Sequence, residues 1–247
     1  MNKMAWITGI LTGLMVLLAA LGALGTAVES IAGDEALYGA QSRQAVMRAN
    51  GFASEEEVSA YIGLDAAQQE AAAGELAAYV TGGADTLPEM LNEDERQHMR
   101  DVRALIARVS GMSRAALTAA AALAVVTAWT GAKLKRRRLP RLIGGLAAVG
   151  LLALAALMAA GALASGGFAQ MFTAMHGLLF DNDLWLMNPQ TDVLIRMMPQ
   201  TLFEQARVDA AGRALRVLLI VWTALLVLHA MVQGMIRRHL SGEEAAQ

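Results

Sequence analysis

The sequence predicts an all-α integral membrane protein with four transmembrane helices, a helical extracytoplasmic cap and an interfacial half-helix segment. Three observations support this fold class. The 247 residues are 56% hydrophobic and only 17% charged, whereas ordinary soluble domains carry about 25% charged residues. Four apolar segments are long enough to cross a membrane, which takes about 20 residues. Basic residues flank these segments in clusters, whereas many of the acidic residues are concentrated in one block.

The first apolar segment, residues 4–28, is 25 residues long and has no charged side chain. A cleaved signal peptide is the alternative, but the apolar region of a signal peptide is only about 7–15 residues long. Three further segments have similar length and composition. The predicted division is transmembrane helix 1 (1–29), cap (30–110), helix 2 (111–132), basic cytoplasmic loop (133–141), helix 3 (142–165), active-site segment (166–212), helix 4 (213–236) and cytoplasmic tail (237–247).

Basic residues beside the apolar segments predict the topology, because Lys and Arg next to a span stay on the cytoplasmic side. Lys3, the run in residues 133–141 and the pair Arg237 and Arg238 therefore predict that both termini are cytoplasmic. The cap then lies outside. Between residues 30 and 108 it has fourteen acidic residues and six arginines, a net charge of −8. Such a surface is most simply a solvated one, and no nucleic-acid partner is predicted.

The cap is predicted to be helical, and sequence patterns mark where some of its helices begin and end. Ser54 with Glu57, and Asn92 with Glu95, have the spacing of capping boxes, in which the first side chain and the fourth satisfy each other's backbone N–H. The glycine pair that begins at Gly82 separates the two halves of the cap. We therefore expect a helix to begin just after Asn92.

His98 lies on this predicted helix, beside a stripe of apolar residues at helical spacing. Asp94 precedes it by one turn and Asp101 follows three residues later, and residues three or four apart are neighbours on a helix. A carboxylate can hold one imidazole nitrogen and leave the other free for acid–base catalysis. The alternative is a surface histidine on a charged helix.

The stretch between the third and fourth spans is too polar to cross a membrane. Phe172 and His176 are one turn apart in a predicted short amphipathic helix at the interface, and Trp185 suits the headgroup level. Thr191 is expected to cap a helix that follows. A polar, turn-rich backbone is tolerated at membrane depth only where protein or a water-filled cavity surrounds it. The segment therefore predicts a cavity. Since His98 and His176 are both predicted outside, they can meet.

The remaining residue types narrow the chemistry. His229 lies inside the fourth span and is predicted to make a helix–helix hydrogen bond, and His239 is assigned no role. The chain has no cysteine, which excludes thiol catalysis and cysteine-ligated metals. Two histidines with nearby acids could bind zinc, but neither has a second ligand four residues later in the chain. No metal and no other cofactor is predicted.

Two motifs carry a resemblance to a known family. E-x-x-H-M-x-D-V occupies residues 95–102 and F-x-x-x-H-x-x-x-F-x-N-x-x-W occupies residues 172–185, with D-x-L-I beginning at Asp192. Together with four spans and a large first outer loop, these resemble the lipoprotein intramolecular transacylase (Lit) family of bacterial membrane proteins. The resemblance implies a protein of the bacterial cytoplasmic (inner) membrane. Its implied substrate is a diacylglyceryl-modified lipoprotein, and its implied surroundings are membrane lipids.

The implied reaction moves the sn-2 acyl chain of the diacylglyceryl-cysteine to the α-amino group of the same N-terminal cysteine, giving the lyso-form lipoprotein. His98 and His176 are then expected to share the acid–base work, because an imidazole can take the proton of an amine near neutral pH. Asp101 is expected to orient His98, and Asn182 or backbone N–H groups to stabilise the oxyanion. The further supporting residues are Glu95 in the first motif, Trp185 as an interfacial anchor, and Asp192 as a capping residue or one behind the site.

Two other classes of function stay open on the sequence. One is a membrane lipid or lipoprotein hydrolase, with or without zinc, that uses the same histidines to activate water. The other is a non-catalytic membrane assembly or transport protein. A transporter would need charged residues deep in its spans, and the first and third spans hold none.

Overall fold

The computed structural model describes residues 3–133 and 167–245, without the side chains of 205–208, 210, 237 and 240–245. These residues are helical and contain no strand. The predicted third span (142–165), and the predicted basic loop beyond Lys133, lie outside them. The helices are α1 (Lys3–Ala32), a π-helical turn (Leu37–Gln41), α2 (Ser42–Asn50), α3 (Glu55–Ile62), α4 (Ala66–Thr81), α5 (Glu93–Lys133), α6 (Phe168–Leu179), α7 (Val193–Met197) and α8 (Gln200–Ala245).

Among the described residues, three helices are long and apolar enough to cross a membrane: Lys3–Ala32, Glu93–Ala132 and Ala211–Ile236. They contain the first, second and fourth spans expected from the sequence. The helices do not end where the predicted spans end. Helix α5 continues from its charged first turns into the apolar residues after 111 without a break, and α8 begins before residue 213 and ends after residue 236. The amino-acid composition therefore changes along these helices, but the helical backbone continues without interruption.

The chain divides into two compact units. The first contains Met1–Ala27, Gly111–Ala160 and Gly212–Gln247, and so holds the apolar parts of α1, α5 and α8. Its small apolar core is made of Met15, Val16, Ala19, Ala120, Ala124 and Leu225.

Small residues bring α1 and α5 close together in this unit. A β-carbon built on Gly22 would come within 2.5 Å of Leu117 Cγ, and Ser113 Oγ donates to the Gly22 carbonyl at 2.6 Å. Close approach at small residues, with hydroxyl hydrogen bonds between helices, is typical of packing in membranes.

His229 makes the helix–helix contact predicted for it. Its Nδ1 lies 3.3 Å from the carbonyl oxygen of Ala124 and 3.4 Å from Thr127 Oγ1, both on α5. Gln233, one turn later on α8, lies 3.1 Å from its Nε2. These contacts join α8 to α5 within the first unit.

The second unit contains Val28–Ser110 and Gly161–Ala211. Its helices end where the sequence predicts: Ser54 and Glu57 form a capping box at the start of α3, and Gly82 ends α4 with φ +84°. The apolar core draws on α2 to α5 and on α7; its largest fully buried members include Ile62, Leu76, Met197, Val46 and Val58.

A buried polar network fixes α7 in this unit. The Arg43 guanidinium is 6% exposed and donates to Glu55 Oε2 at 2.7 Å and to Gln69 Oε1 at 3.0 Å. Gln69 Nε2 donates to Ser42 Oγ at 3.0 Å, and the Ser42 hydroxyl donates to the Met197 carbonyl in the last turn of α7. The predicted site residues Asn182, Trp185 and Asp192 precede this anchored helix along the chain.

Candidate active site

One face of α6 is aromatic. Phe172, His176 and, just after the helix, Phe180 follow each other at intervals of four residues, and all three are half-buried, whereas the residues between them are exposed. The ring centroids of Phe172 and His176 are 4.2 Å apart, and those of His176 and Phe180 are 5.7 Å apart. Phe203 of α8 packs on Phe172 at 5.7 Å. The polar imidazole of His176 is thus surrounded by aromatic carbon.

The structure brings His98 of α5 to this aromatic face. The ring centroids of His98 and His176 are 6.4 Å apart, with the rings inclined by 28°. Phe180 lies beside both and is 5.1 Å from His98. Two imidazoles 78 positions apart in the chain are therefore close enough to act on one small chemical group.

The protonation of His176 is fixed by its own helix. Nδ1 lies 2.8 Å from the carbonyl oxygen of Phe172, and a carbonyl can only accept, so Nδ1 carries the proton. In the neutral ring the lone pair is then on Nε2. His176 therefore offers a basic nitrogen whose position is set by α6.

His98 is more deeply enclosed, with 7% of its surface exposed. Its pKa is lowered from 6.5 to about 4, mainly by burial and also by the charge of a protonated His176, while the charge of Asp101 opposes both. His98 is therefore uncharged near neutral pH. Its Nδ1 is buried and has no hydrogen-bond partner among the described residues.

Asp101 does not hydrogen-bond to His98, which corrects the orienting role expected from the spacing. Its Oδ1 accepts from Gln97 Nε2 at 3.0 Å, and its Oδ2 accepts from Asn182 Nδ2 at 2.9 Å. The carboxylate acts on His98 through its charge, which raises the pKa of the ring. Its bonds hold the turn after α6 against α5.

Asn182 is likewise engaged differently from the expected oxyanion donor. One N–H of its amide is given to Asp101, and its Oδ1 accepts from the backbone N–H of Leu184 at 3.1 Å. The side chain therefore shapes the turn that leads to Trp185.

Glu95 joins the starts of two helices. Its carboxylate is 1% exposed. One oxygen accepts from the backbone N–H of Asn92 at 2.8 Å, as a capping box requires, and the other accepts from Leu194 N at 2.5 Å. The first turn of α7 is thus capped by Glu95 and not by Thr191, whose hydroxyl donates to Asp192 Oδ1.

Asp192 forms a second link between the same segments. Its Oδ1 accepts from Asn92 Nδ2 at 2.9 Å, and its Oδ2 accepts from Asn188 N at 2.7 Å. Asp192 makes no side-chain cap to α7, so its role is to close the loop before α7 onto α5. Although partial burial raises the pKa of its carboxyl, these hydrogen bonds outweigh burial and lower the pKa overall.

Trp185 completes the aromatic surroundings. Its ring lies 5.1 Å from that of His176, and its indole Nε1 is buried, with no hydrogen-bond partner in the ranges that the structure describes. The sequence indicated an aromatic side chain for the headgroup level, but nothing in the local pattern indicated contact with His176.

Within the ranges that the structure describes, no group of three or more His, Asp or Glu side chains is arranged to hold a metal ion. The two imidazoles are surrounded by aromatic rings.

Apolar helices of membrane-spanning length, together with a pair of imidazoles set among aromatic rings, define a membrane protein with a two-histidine site. The particular protein follows from comparison. Residues 14–203 match the family model for the lipoprotein intramolecular transacylase Lit, and the chain belongs to this family. It is therefore a membrane enzyme of the acyltransferase type, an intramolecular transacylase that acts on lipoproteins.

Solved structures agree with this fold. The in meso structure of the membrane integral lipoprotein intramolecular transacylase Lit from Bacillus cereus is similar, with a TM-score of 0.63 at 18% identity over 90% of this chain and 95% of that one. Two forms of the same Bacillus cereus protein with one histidine replaced are also similar. The arginine form has a TM-score of 0.58 at 16% identity, covering 98% and 95% of the two chains. The alanine form has 0.54 at 16%, covering 95% and 96%. No curated protein matches the sequence.

Proposed function

We propose that the enzyme moves the sn-2 acyl group of the diacylglyceryl-cysteine to the α-amino group of the same cysteine, with His176 transferring the proton and His98 holding the amine. The observation that carries this proposal is the 6.4 Å between the two imidazole centroids, with His176 Nδ1 engaged by its own helix and His98 Nδ1 without a hydrogen-bond partner among the described residues. The product is a lyso-form lipoprotein that is N-acylated and keeps one O-acyl chain.

The proton balance of the reaction assigns a task to His176. The amine nitrogen forms a bond to the ester carbonyl carbon and must lose a proton, while the sn-2 oxygen that leaves this carbon must gain one. His176 Nε2 takes the proton from nitrogen and returns it to oxygen. The Phe172 carbonyl, which accepts from Nδ1, stabilises the imidazolium formed in between.

The environment of His98 favours the reactive form of the amine. An α-amino group has a pKa of about 8 and is mostly ammonium at neutral pH. The burial that lowers the pKa of His98 disfavours any positive charge, so it also favours the neutral, nucleophilic amine. The uncharged His98 ring offers Nδ1 as an acceptor that holds the amine against the ester.

The reaction needs no covalent intermediate with the enzyme. Amine and ester belong to one substrate molecule, and holding two such groups in line can supply roughly 7–11 kcal/mol of the barrier reduction. The hydrogen bonds of Glu95, Asp101 and Asp192 keep the segment with Trp185 against α5, and so keep the holding geometry rigid.

The membrane placement is also proposed, including four spans with the third at residues 142–165. Positively charged residues stay inside, which puts both termini in the cytoplasm and the two histidines on the outer side of the bacterial inner membrane. The exposed apolar side chains of α6, among them Met171 and Leu178, would lie among lipid headgroups and acyl chains. The acyl chains of the substrate could then stay in the bilayer during transfer.

The test is expression in a bacterial host that makes only diacyl lipoproteins, followed by mass spectrometry of an N-terminal lipopeptide. Transfer conserves the mass, places one acyl chain on the fragment that contains the cysteine nitrogen, and makes that nitrogen unreactive to amine reagents. Loss of one acyl mass would show hydrolysis instead. An unchanged, amine-reactive lipopeptide would contradict the proposed reaction.

A further inference from the structure

The indole N–H of Trp185 is an unused hydrogen-bond donor beside His176. Its Nε1 is buried and has no partner in the described part of the chain, whereas buried polar groups in proteins are nearly always paired. A phenylalanine could fill much of the same space without this unpaired donor. Its position against His176, 5.1 Å between ring centroids, indicates that the missing partner belongs to the substrate.

Two neighbouring side chains already use donors within the protein. The His176 Nδ1–H is given to the Phe172 carbonyl, and one of the two Asn182 amide N–H groups is given to Asp101. The ester, however, brings a carbonyl oxygen that can only accept, and this oxygen becomes negatively charged when the amine attacks. The indole N–H is a donor that does not accept and does not ionise near neutral pH, which suits this oxygen.

We propose that the Trp185 indole N–H donates a hydrogen bond to the carbonyl oxygen of the acyl group being transferred, and keeps it while that oxygen carries the charge of the tetrahedral intermediate. This inference rests on the proposed function and adds the oxyanion donor to it. The π electrons of the carbonyl move onto the oxygen as the carbon–nitrogen bond forms, and return as the bond to the sn-2 oxygen breaks. No proton leaves the indole.

The geometry gives Trp185 and His176 one common target. A reacting carbon has to lie about 3 Å from the nucleophile, with its oxygen near the oxyanion donor, and two side chains in ring contact can flank one such carbon. Asn182 fixes the start of the turn through Asp101, and Leu186 N donates to the Asp183 carbonyl at 2.9 Å. The backbone on both sides of Trp185 is therefore held.

The direct test is NMR of the full-length protein labelled with ¹⁵N at its four tryptophan indoles, with the Trp185 signal assigned from the W185F variant. The probe is a diacylglyceryl-cysteine peptide that lacks the α-amino group and so cannot react. We expect it to move the Trp185 indole proton downfield, and the matching dialkyl ether, which has no carbonyl, to leave it in place. Equal responses to ester and ether, or no response to a bound ester, would overturn the proposal.

Kinetics supply a second readout. Loss of one oxyanion donor typically lowers kcat by about 10²–10³-fold, so we expect a fall of this order for W185F. The exposed Trp6 provides the control, and W6F should retain wild-type kcat. A W185F enzyme within about twofold of an active wild type would refute the role of Trp185 alone, whereas a wild type that makes no N-acylated product would refute the proposed function. If W185F fails to fold, the NMR comparison of the ester and ether probes on the wild-type protein still tests the proposed hydrogen bond.

Discussion

The Glu95 carboxylate accepts a hydrogen bond from the backbone N–H of Leu194, 99 residues further along the chain, at 2.5 Å. The same carboxylate closes the capping box of its own helix through Asn92. One acid therefore serves the unpaired N–H groups at the starts of two helices, which satisfies both and favours negative charge at both ends. Since His98 lies three residues after Glu95, this link sets where His98 sits relative to α7.

Replacing Glu95 with glutamine should damage both stability and catalysis. The amide keeps one acceptor oxygen but turns an NH₂ group toward the second backbone donor, which leaves buried groups unpaired. We expect a loss of about 1–3 kcal/mol in the free energy of unfolding and a lower kcat with a smaller change in KM. Thermal unfolding in detergent and the transacylation rate measure the two effects.

Glu93 provides the matched control for this change. Its side chain is 78% exposed and pairs with Arg100 at 2.6 Å, and exposed ion pairs contribute at most about 1 kcal/mol. E93Q should therefore behave like the wild type. An E95Q enzyme that is as stable and as active as E93Q would show that the link to Leu194 is dispensable.

The pKa of His98 is a direct prediction of its surroundings. We expect it to titrate at about 4, well below 6.5, when followed by NMR of histidine-labelled protein. H176A removes a neighbouring positive charge and should raise this pKa, while D101N removes a negative charge and should lower it. A value near 6.5 in the wild type, or a D101N shift upward, would contradict the electrostatic role given to Asp101.

The same pKa makes stability depend on pH. The folded pKa lies below the unfolded value of about 6.5, so between pH 6.5 and pH 4 the unfolded chain binds more protons at this site than the folded one. The contribution of His98 to the free energy of unfolding is therefore complete above pH 6.5. It is lost as the pH drops toward 4, and the loss amounts to at most about 3 kcal/mol. H98F should flatten this part of the stability profile, whereas an unchanged profile would mean that His98 is not buried in the neutral form.

The exposed apolar face of α6 should contribute to the use of substrate in membranes. Leu178 is 84% exposed, and withdrawing such a side chain from lipid costs roughly 1.5–3 kcal/mol if it is fully immersed. L178D should raise the KM for substrate in vesicles by about tenfold or more, with little effect on a short-chain substrate in detergent. The control is D181N, in the adjoining polar turn, which should change neither. Equal KM values for L178D and wild type in vesicles would argue against lipid contact.

The sequence predicted those features that depend on neighbours along the chain. Apolar length predicted three spanning helices within the described residues, the Ser54–Glu57 spacing predicted a capping box, and the glycines at Gly82 predicted the end of α4. Composition placed a boundary at residue 111, but α5 runs through it. A change from charged to apolar residues changes whether water or lipid is the favourable surrounding for that part of the helix. It does not end the helix.

The hydrogen bonds that assemble the site could not be predicted from the sequence, because their two partners are far apart in the chain. The three-residue spacing made Asp101 an apparent partner of His98, yet its carboxylate is bonded to Asn182, 81 residues away. Thr191 was the local candidate to cap α7, but Glu95 does so. Periodicity indicates which side chains share a helix face. It gives no information on which distant group will form a hydrogen bond with them instead of a neighbour on the helix.

The central claim is that His176 transfers the proton while His98 holds the amine against the ester, and replacing each histidine tests it most directly. H176A should lower lyso-lipoprotein formation by about 10²–10⁴-fold, the usual contribution of a positioned acid–base group. H98A, which removes the acceptor that holds the amine, should also lower it clearly, while protein levels of both variants in the membrane stay unchanged. H239A, in the tail, should convert lipoprotein normally. Measured by lipopeptide mass spectrometry in a host that makes only diacyl lipoproteins, near-normal conversion by either H98A or H176A would contradict the account.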